Sequence, residues 1–554
     1  MVPSPRLVLL VFLCSLLSAL PAEAQRGQRE PMLSERAFGL GGAVVGSAAG
    51  PSAAYYNPAG LADTPGTAAG ASLSLRTFRS YTLHDGYVSV VGFDDLNDSA
   101  LLSVPVFVGA VLKFGDRDAS DVRQHALAAG MLTRHFLDRE LLDDEADAAR
   151  GALSTLEVVD DQETRWFYAS YALRVDPSFS LGVTAALSLY DQEYRESWTQ
   201  ATSPGGGMLG GPGSALTSRD VIIDNSASHL LLRFGASWRP TSWAQIGLTL
   251  QTPGVQIGGG GRALFQSVSV NEQGGGDFFR DDNQEVRSDA PVPWQARLGT
   301  YLRLDTSFAI AADIGITGSY GSENDPVLPI GRPVPRDGDR PAATYYAGEY
   351  ASDVSFDAAL GGEIWFSREI PLRVGSFVEL SGMSPHEDRT EVYTPDRVHR
   401  VGGTVGVGVQ TDRYDFGLGV GYTHGFGTGL RPVDANVSAY VPTSVTVHEI
   451  SVYLSGVTGA ATQLAMDGYQ AVTGSSIDDE PDPSLRPNED PTPSDISVDL
   501  YSTSPDMDDL PSWIREAYQN QAEEEIIEEA AEDAAREVPE QRSALPSPAA
   551  PPGS

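Results

Sequence analysis

The sequence predicts an all-β protein, a fourteen-stranded antiparallel transmembrane β-barrel with an N-terminal plug and a disordered acidic C-terminal extension that contains one helix. Three observations predict this fold. Apolar and polar residues alternate with a period of two from about residue 69 to residue 457, as in strands with one apolar face. The connections between these segments are alternately short and long. No stretch after the N-terminal 24 residues has the apolar length that a transmembrane helix needs.

Residues 1–24 have the features of a secretory signal peptide. Arg6 precedes the apolar run LVLLVFLCSLLSAL, and a small-residue site ends at Ala24, where cleavage is expected. Cys14, the one cysteine of the sequence, lies inside this run. The mature chain would then contain no cysteine, which excludes a disulfide framework, a cysteine zinc site and a cysteine nucleophile.

Residues 25–68 form the predicted plug. The stretch FGLGGAVVGSAAGPSAAYYNPAGLA, from Phe38 to Ala62, consists mainly of Gly, Ala and Ser, so it can approach other backbone closely but buries little apolar surface. Pro58 fixes its own φ and biases Asn57 toward an extended backbone, and the Asn57 side chain can close a turn. We therefore expect a segment that threads into the barrel lumen and then turns back into the first strand.

The barrel itself is predicted for residues 69–457. Its strands are expected at about 69–81, 101–114, 122–136, 165–175, 179–191, 226–238, 243–252, 293–304, 307–320, 351–366, 370–382, 398–411, 414–425 and 445–457. The long connections between them, such as 137–164 and 192–225, are predicted loops, and Ala263–Val270 is assigned to a folded extracellular loop. A soluble sandwich or propeller would also alternate, but its connections would not sort into two length classes.

The chain after the barrel has a different composition. Residues 458–510 form a predicted acidic, Pro-rich linker, residues 511–538 an amphipathic acidic helix, and residues 539–554 a disordered C-terminus. From Ile477 to Ser554 the chain holds 21 acidic residues and 4 arginines. The helix carries one apolar stripe, which suggests a periplasmic protein as a partner, with self-association as the alternative.

The stretch GLGGAVVGSAAGPSAAYYNPAGLA, with Asn57, Pro58 and Ala59 as its motif, resembles the N-terminus of the FadL-type outer-membrane transporters of long-chain fatty acids and hydrocarbons. The resemblance implies a hatch that plugs the barrel, and passive uptake of a hydrophobic small-molecule ligand. It also implies a place in the bacterial outer membrane, in contact with its lipid and with both termini periplasmic. PorV-like barrels open with similar residues, so a scaffold that binds secreted or periplasmic proteins is the alternative. The tail, about 97 residues beyond the last strand, departs from the FadL pattern.

Two groups of residues are candidate site residues. The first lies in the plug, where the Asn57–Gly60 turn either only reverses the chain or also shapes the ligand cavity; its members are Phe38, Tyr55, Tyr56, Asn57, Pro58 and Ala59. The second lies on the polar strand faces, where arginines either form ion pairs in the lumen or bind a ligand carboxylate. Its members are Arg297 and Arg303, expected to face inward together, with Arg233 and Arg174.

Composition argues against several other functions. The net charge of −38 argues against nucleic-acid binding, which needs clustered Lys and Arg. The eight histidines are scattered without the spacing of a zinc protease, and the glycines of the plug are not followed by the Lys-Ser/Thr of a phosphate loop. We therefore expect a non-enzyme with no cofactor and no metal.

Overall fold

The computed structural model describes residues 31–458, except for 65, 89–92, 105–106, 119–121, 148–150, 204–213, 274, 289, 321–331, 334–351, 368, 384–394, 412–413 and 435–436. The predicted signal peptide, linker, amphipathic helix and disordered C-terminus lie outside the described residues. Within the described part of the chain, no helix is long and apolar enough to cross a membrane.

Fourteen strands form one closed antiparallel barrel when three interrupted strands are each counted once. A two-residue strand, Arg332–Pro333, pairs with Gly276–Arg287 outside this count. The barrel strands are β1 Ala68–Val88, β2a Phe93–Val104, β2b Phe107–Arg117, β3 Arg123–Asp147, β4 Ala152–Asp176, β5 Phe179–Thr202, β6 Ala215–Thr241, β7a Ala244–Gln251, β7b Val255–Val270, β8a Gly276–Arg287, β8b Gln295–Arg303, β9 Phe308–Thr317, β10 Ser355–Trp365, β11 Pro371–Leu380, β12 Arg397–Gln410, β13 Tyr414–Asp434 and β14 Val437–Thr458.

Pairing of the first strand with the last closes the barrel. Strand β14 pairs with β1 from Ala69–Thr458 to Leu83–Val445, and β1 pairs with both parts of β2 along its other edge. No edge of the sheet is left open, as a membrane-spanning sheet requires. The predicted strand number and the position of each strand are confirmed.

The barrel is inside out compared with a soluble protein. On β4, Phe167 is 44% exposed while the next inward residue, Tyr168, is buried, and on β12 Val405 is 51% exposed while Thr404 is buried. Apolar side chains thus form the outer surface and polar side chains face the interior, the pattern of a barrel in lipid. A soluble sandwich would bury the apolar face instead.

Most of the predicted long loops are in fact extensions of the strands. Strands β4 and β5 have 25 and 24 residues and stay paired through Ala152–Thr202. The assignment of Ala263–Val270 to a loop is wrong, since this stretch lies in β7b and pairs with β6 and β8a. The extensions escaped prediction because their outward residues are mainly polar or acidic, so apolar alternation fades while pairing continues. We call this end of the barrel the hairpin end, and the opposite end the turn end.

The N-terminal segment, residues 31–64, packs against the inner face of the strands. It contains helices α1, Glu35–Gly39, and α2, Ala53–Tyr56, and a 3₁₀ helix, Pro58–Asp63. Helix α1 contacts β11 to β14, whereas the 3₁₀ helix contacts β3 to β6. These strands lie on different sides of the ring, so the segment crosses the interior, where it forms much of the largest apolar cluster.

Candidate functional site

A set of inward-facing glycines lets the N-terminal segment approach the barrel wall. We call it the glycine girdle: Gly182, Gly235, Gly247, Gly299, Gly361, Gly375, Gly406 and Gly419. Its members stand opposite one another in register as the pairs 182/235, 247/299, 361/375 and 406/419.

The girdle contacts the backbone of the N-terminal segment at several points. A Cβ added to Gly299 would lie 2.5 Å from the nitrogen of Gly46, and one added to Gly235 would lie 2.8 Å from the nitrogen of Ala59. A Cβ on Gly375 would overlap the nitrogen of Gly41, which itself adopts a φ of +65° that favours glycine. Small residues in the segment therefore meet small residues in the wall, and the two backbones are in direct contact.

The Asn57 side chain ties the predicted turn to the wall. Its Oδ1 accepts a hydrogen bond from Ala59 N at 3.2 Å, while its Nδ2 donates to Val45 O at 3.1 Å and to Ala236 O, on β6, at 3.0 Å. Asn57 is 1% exposed, and Pro58 starts the 3₁₀ helix. The turn forms as expected, and these bonds favour a role in holding the segment; contact of this turn with a ligand stays a prediction.

The aromatic candidates of the N-terminal segment are all buried. Phe38 stacks on Tyr453 of β14, with ring centroids 5.1 Å apart. The guanidinium groups of Arg233 and Arg134 lie 4.2 and 5.8 Å from the centroid of the Tyr55 ring. The Tyr56 hydroxyl donates to Pro31 O at 2.7 Å. These rings anchor the segment at both ends.

Three of the four candidate arginines are buried and bonded to protein groups. Arg174 pairs with Asp63 at 3.2 Å and with Asp118 at 2.6 Å, close to the turn end. Arg297 pairs with Asp357 on β10. Arg233 donates to the carbonyl oxygen of Tyr55 and to the side-chain oxygens of Gln251 and Gln295, the latter two at 2.7 and 2.9 Å. These contacts favour the ion-pair interpretation, and carboxylate binding by these residues stays a prediction.

Arg303 has the same strand parity as Arg297 and pairs with the buried Ala309 of β9, as an inward position would, and its part in ligand binding stays a prediction. Arg303 is the last residue of β8b and is exposed. Its guanidinium lies 5.3 Å from the centroid of the Trp365 ring.

A buried charge network holds helix α1. Glu363 of β10 accepts two hydrogen bonds from Arg36, at 3.1 and 3.0 Å, and one from Arg373 of β11 at 2.7 Å. Arg373 also pairs with Glu35. Burial raises the pKa of Glu35 from 4.5 to about 8; Arg373 opposes this shift and the nearby Asp415 adds to it. The site thus favours the neutral form of the Glu35 carboxyl. Burial lowers the pKa of Arg36, but the neighbouring Glu363 carboxylate outweighs burial and leaves this pKa raised.

The backbone of the N-terminal segment is also bonded directly to the wall. Asp313 Oδ2, on β9, accepts hydrogen bonds from the nitrogens of Val44 and Val45, both at 2.8 Å. These donors lie more than 260 positions from Asp313 along the chain, so the sequence alone does not identify them.

The segment separates two cavities in the lumen. The hairpin-side cavity is lined by residues such as Trp166, Tyr190 and Tyr320, and the turn-side cavity by Phe107, Trp365 and residues of the N-terminal segment itself. Tyr55 packs against Trp166, with centroids 5.5 Å apart, so it lies next to the hairpin-side cavity. A molecule that passed along the lumen would have to displace this segment or go around it.

Comparison with known proteins places the fold. No family model matches the sequence, and no curated protein matches it. The structure is similar to a Pseudomonas aeruginosa FadL homologue, with a TM-score of 0.50, 14% identity, and coverage of 78% of this chain and 99% of that chain. It is also similar to the P. putida toluene transporter TodX, with a TM-score of 0.51, 12% identity, and coverage of 77% and 98%. The predicted FadL-type barrel fold is confirmed.

Proposed function

We propose that this protein is a bacterial outer-membrane channel of the FadL type through which hydrophobic small molecules move passively, with residues 31–64 as its plug. The observation that carries the proposal is the position of the N-terminal segment between two lumen cavities, inside a barrel with an apolar outer surface. The similarity to a structure named as a toluene transporter supports a hydrophobic substrate.

The contacts of the plug would let it block the lumen and still move while the strands of the barrel stay paired. It shares no strand pairing with the barrel in the described residues, and it is held by backbone contact with the glycine girdle, by Asn57, by Asp313 and by the charge network of helix α1. Removing these contacts would leave the hydrogen-bonded ring of strands intact. The plug can therefore shift without the barrel unfolding.

The transport proposal is tested by uptake in cells that lack their own channel for hydrophobic compounds. Cells that express the full chain should accumulate radiolabelled toluene or a long-chain fatty acid faster than cells with the empty vector. An unrelated closed barrel, inserted at the same level, controls for membrane disturbance. Uptake no faster than in this control would contradict the proposal.

The barrel is proposed to place its turn end and both chain ends in the periplasm, because outer-membrane barrels have short periplasmic turns and long extracellular hairpins. Protease added to intact cells should then cut in the hairpins of the hairpin end, as at the exposed tip around Glu272, and spare the turn at 176–178. Cleavage at 176–178 in intact cells would reverse the orientation.

A PorV-like scaffold remains the second candidate because of the acidic tail, with its 21 acidic residues against 4 arginines from Ile477 to Ser554. Truncation at about Ser475 should then abolish co-purification of a periplasmic protein and leave uptake unchanged. Loss of uptake from a correctly inserted truncated barrel would assign the tail to transport instead.

A further inference from the structure

We propose that the hairpin-side cavity binds a single-ring aromatic carboxylate, so that the channel takes ring compounds with an acidic group in preference to the bare hydrocarbon. The inference rests on the proposed channel function and names a substrate class for it. Four features of the cavity wall carry it: its polar ladder, two hydroxyls without partners, its charge, and its aromatic rings.

The polar ladder crosses five neighbouring strands. Its members face one another directly in register on β6, β7a, β8b, β9 and β10: Arg233, Gln251, Gln295, Thr317 and Ser355. All but the first also line the hairpin-side cavity. Arg233 donates to Gln251 and Gln295, and Gln295 donates to Thr317, so the row holds itself in place and ends at Ser355.

Two hydroxyls in this wall have no partner among the described residues. Ser188 and Ser355 are 1% and 2% exposed, and the Oγ of each makes no hydrogen bond there. Ser188 lies between Trp166 and His229 in register, and both serines line the cavity. A buried hydroxyl without a partner costs free energy, and a ligand oxygen that accepted its hydrogen bond would remove this cost.

The charge of the lining favours an anion. Arg134 lines the cavity, and no Asp or Glu does so among the described residues. The buried guanidinium of Arg233 lies just beyond the wall, next to Tyr55. The positive charge of these arginines would attract a carboxylate and repel a cation. It would not affect the binding of a neutral hydrocarbon.

The rings and the size of the cavity select the rest of the ligand. Trp166, Tyr190 and Tyr320 give flat apolar surface, with Pro291 and Pro293 beside them. The free volume is about 70 Å³. A cavity of ~150 Å³ holds benzene, so this space takes the carboxylate and one edge of a ring, and it does not take a folded alkyl chain.

Titration calorimetry on the purified full chain in detergent tests the inference with benzoate, benzyl alcohol and toluene as probes. Benzoate should bind at least ten-fold more tightly than toluene and clearly more tightly than benzyl alcohol. Ser188→Ala and Ser355→Ala should each weaken benzoate binding several-fold. Ser376→Ala, on the exposed outer face of β11, is the matched control and should leave binding unchanged.

Arg134→Gln separates charge from polarity. It should weaken benzoate binding about ten-fold and remove the preference over benzyl alcohol, with heat-modified migration on gels confirming the folded barrel in each variant. Equal binding of benzoate and toluene, or serine variants that bind benzoate like the parent, would overturn the inference. If cells take up toluene while benzoate does not bind, the inference fails and the channel proposal stands; if neither occurs, both fail.

Discussion

Asn57 shows how one side chain can join three parts of this protein. It closes its own turn, bonds the opposite stretch of the N-terminal segment at Val45, and bonds β6 at Ala236. Both protons of its amide go to carbonyl oxygens, so no other residue of similar size could replace it with the same bonds. The position of the plug thus depends on an amide whose partners are fixed in the wall.

The variant Asn57→Asp should open the plug without harm to the barrel. The carboxylate oxygen that replaces Nδ2 has no proton to donate and would face the carbonyl oxygens of Val45 and Ala236, so the buried charge would be costly. We expect a higher single-channel conductance in planar bilayers. Asn97→Asp, on an exposed hairpin residue, is the control, and equal conductance of both variants and the parent would refute the role of Asn57.

Glu35 predicts a dependence of plug docking on pH. Its pKa is about 8 when docked and 4.5 ordinarily, so the docked state favours the neutral acid. Docking should be strongest below about pH 4.5, should weaken as the pH rises, and should reach its weakest level above pH 8. Charged Glu35 would face Asp415 as a like charge, with Arg36 and Arg373 in partial compensation.

Conductance of the parent channel should therefore rise from pH 5 to pH 9, and Glu35→Gln, which stays neutral, should flatten this profile. Glu272→Gln, at an exposed hairpin tip, should keep the profile of the parent. A Glu35→Gln channel that still follows the profile of the parent would assign the pH response to another group.

The glycine girdle is the part of the wall that contacts the N-terminal segment most closely. Gly375→Ala should displace residues 39–46, because the new methyl group overlaps the backbone at Gly41 and overpacking of this kind costs about 1–3 kcal/mol. Trypsin should then cut after Arg36, which is bound and protected in the parent. Gly403→Ala, on the outward face of β12 where the nearest atom is 3.6 Å away, should leave Arg36 protected.

The alternation of apolar and polar residues predicted the position of every barrel strand, but it did not predict how far each strand extends. The apolar outward residues, such as Phe167 and Val405, mark where a strand meets lipid, and this signal ends where the strand leaves the bilayer. The inward direction of Arg174, Arg233 and Arg297 followed from the same period, whereas Arg303, at the end of its strand, is exposed.

The contacts inside the barrel could not be predicted from the sequence alone. The partners of the plug lie on strands far along the chain, and only closure of the barrel brings Asp313 and Glu363 to helix α1 and its neighbours. The sequence does show glycines at inward positions, in segments such as VGGTVGVGV. That glycines of neighbouring strands stand opposite one another in the barrel becomes apparent only from the strand register.

The described part of the molecule consists of a closed ring of strands and an N-terminal segment that is held separately. The ring is closed by paired backbone, whereas the segment is held by side-chain bonds and close packing. In the proposed channel, closure of the lumen and stability of the barrel therefore depend on different residues. A change in the segment should alter permeability and leave assembly unaffected.

Conductance in planar bilayers after deletion of Gly39–Ala54 tests whether the N-terminal segment closes the barrel. The deletion variant should still insert and show heat-modified migration on gels. Its conductance to small ions should be well above that of the parent. If the correctly inserted variant instead conducts no better than the parent, the N-terminal segment is not the obstruction, and the obstruction lies elsewhere in the barrel.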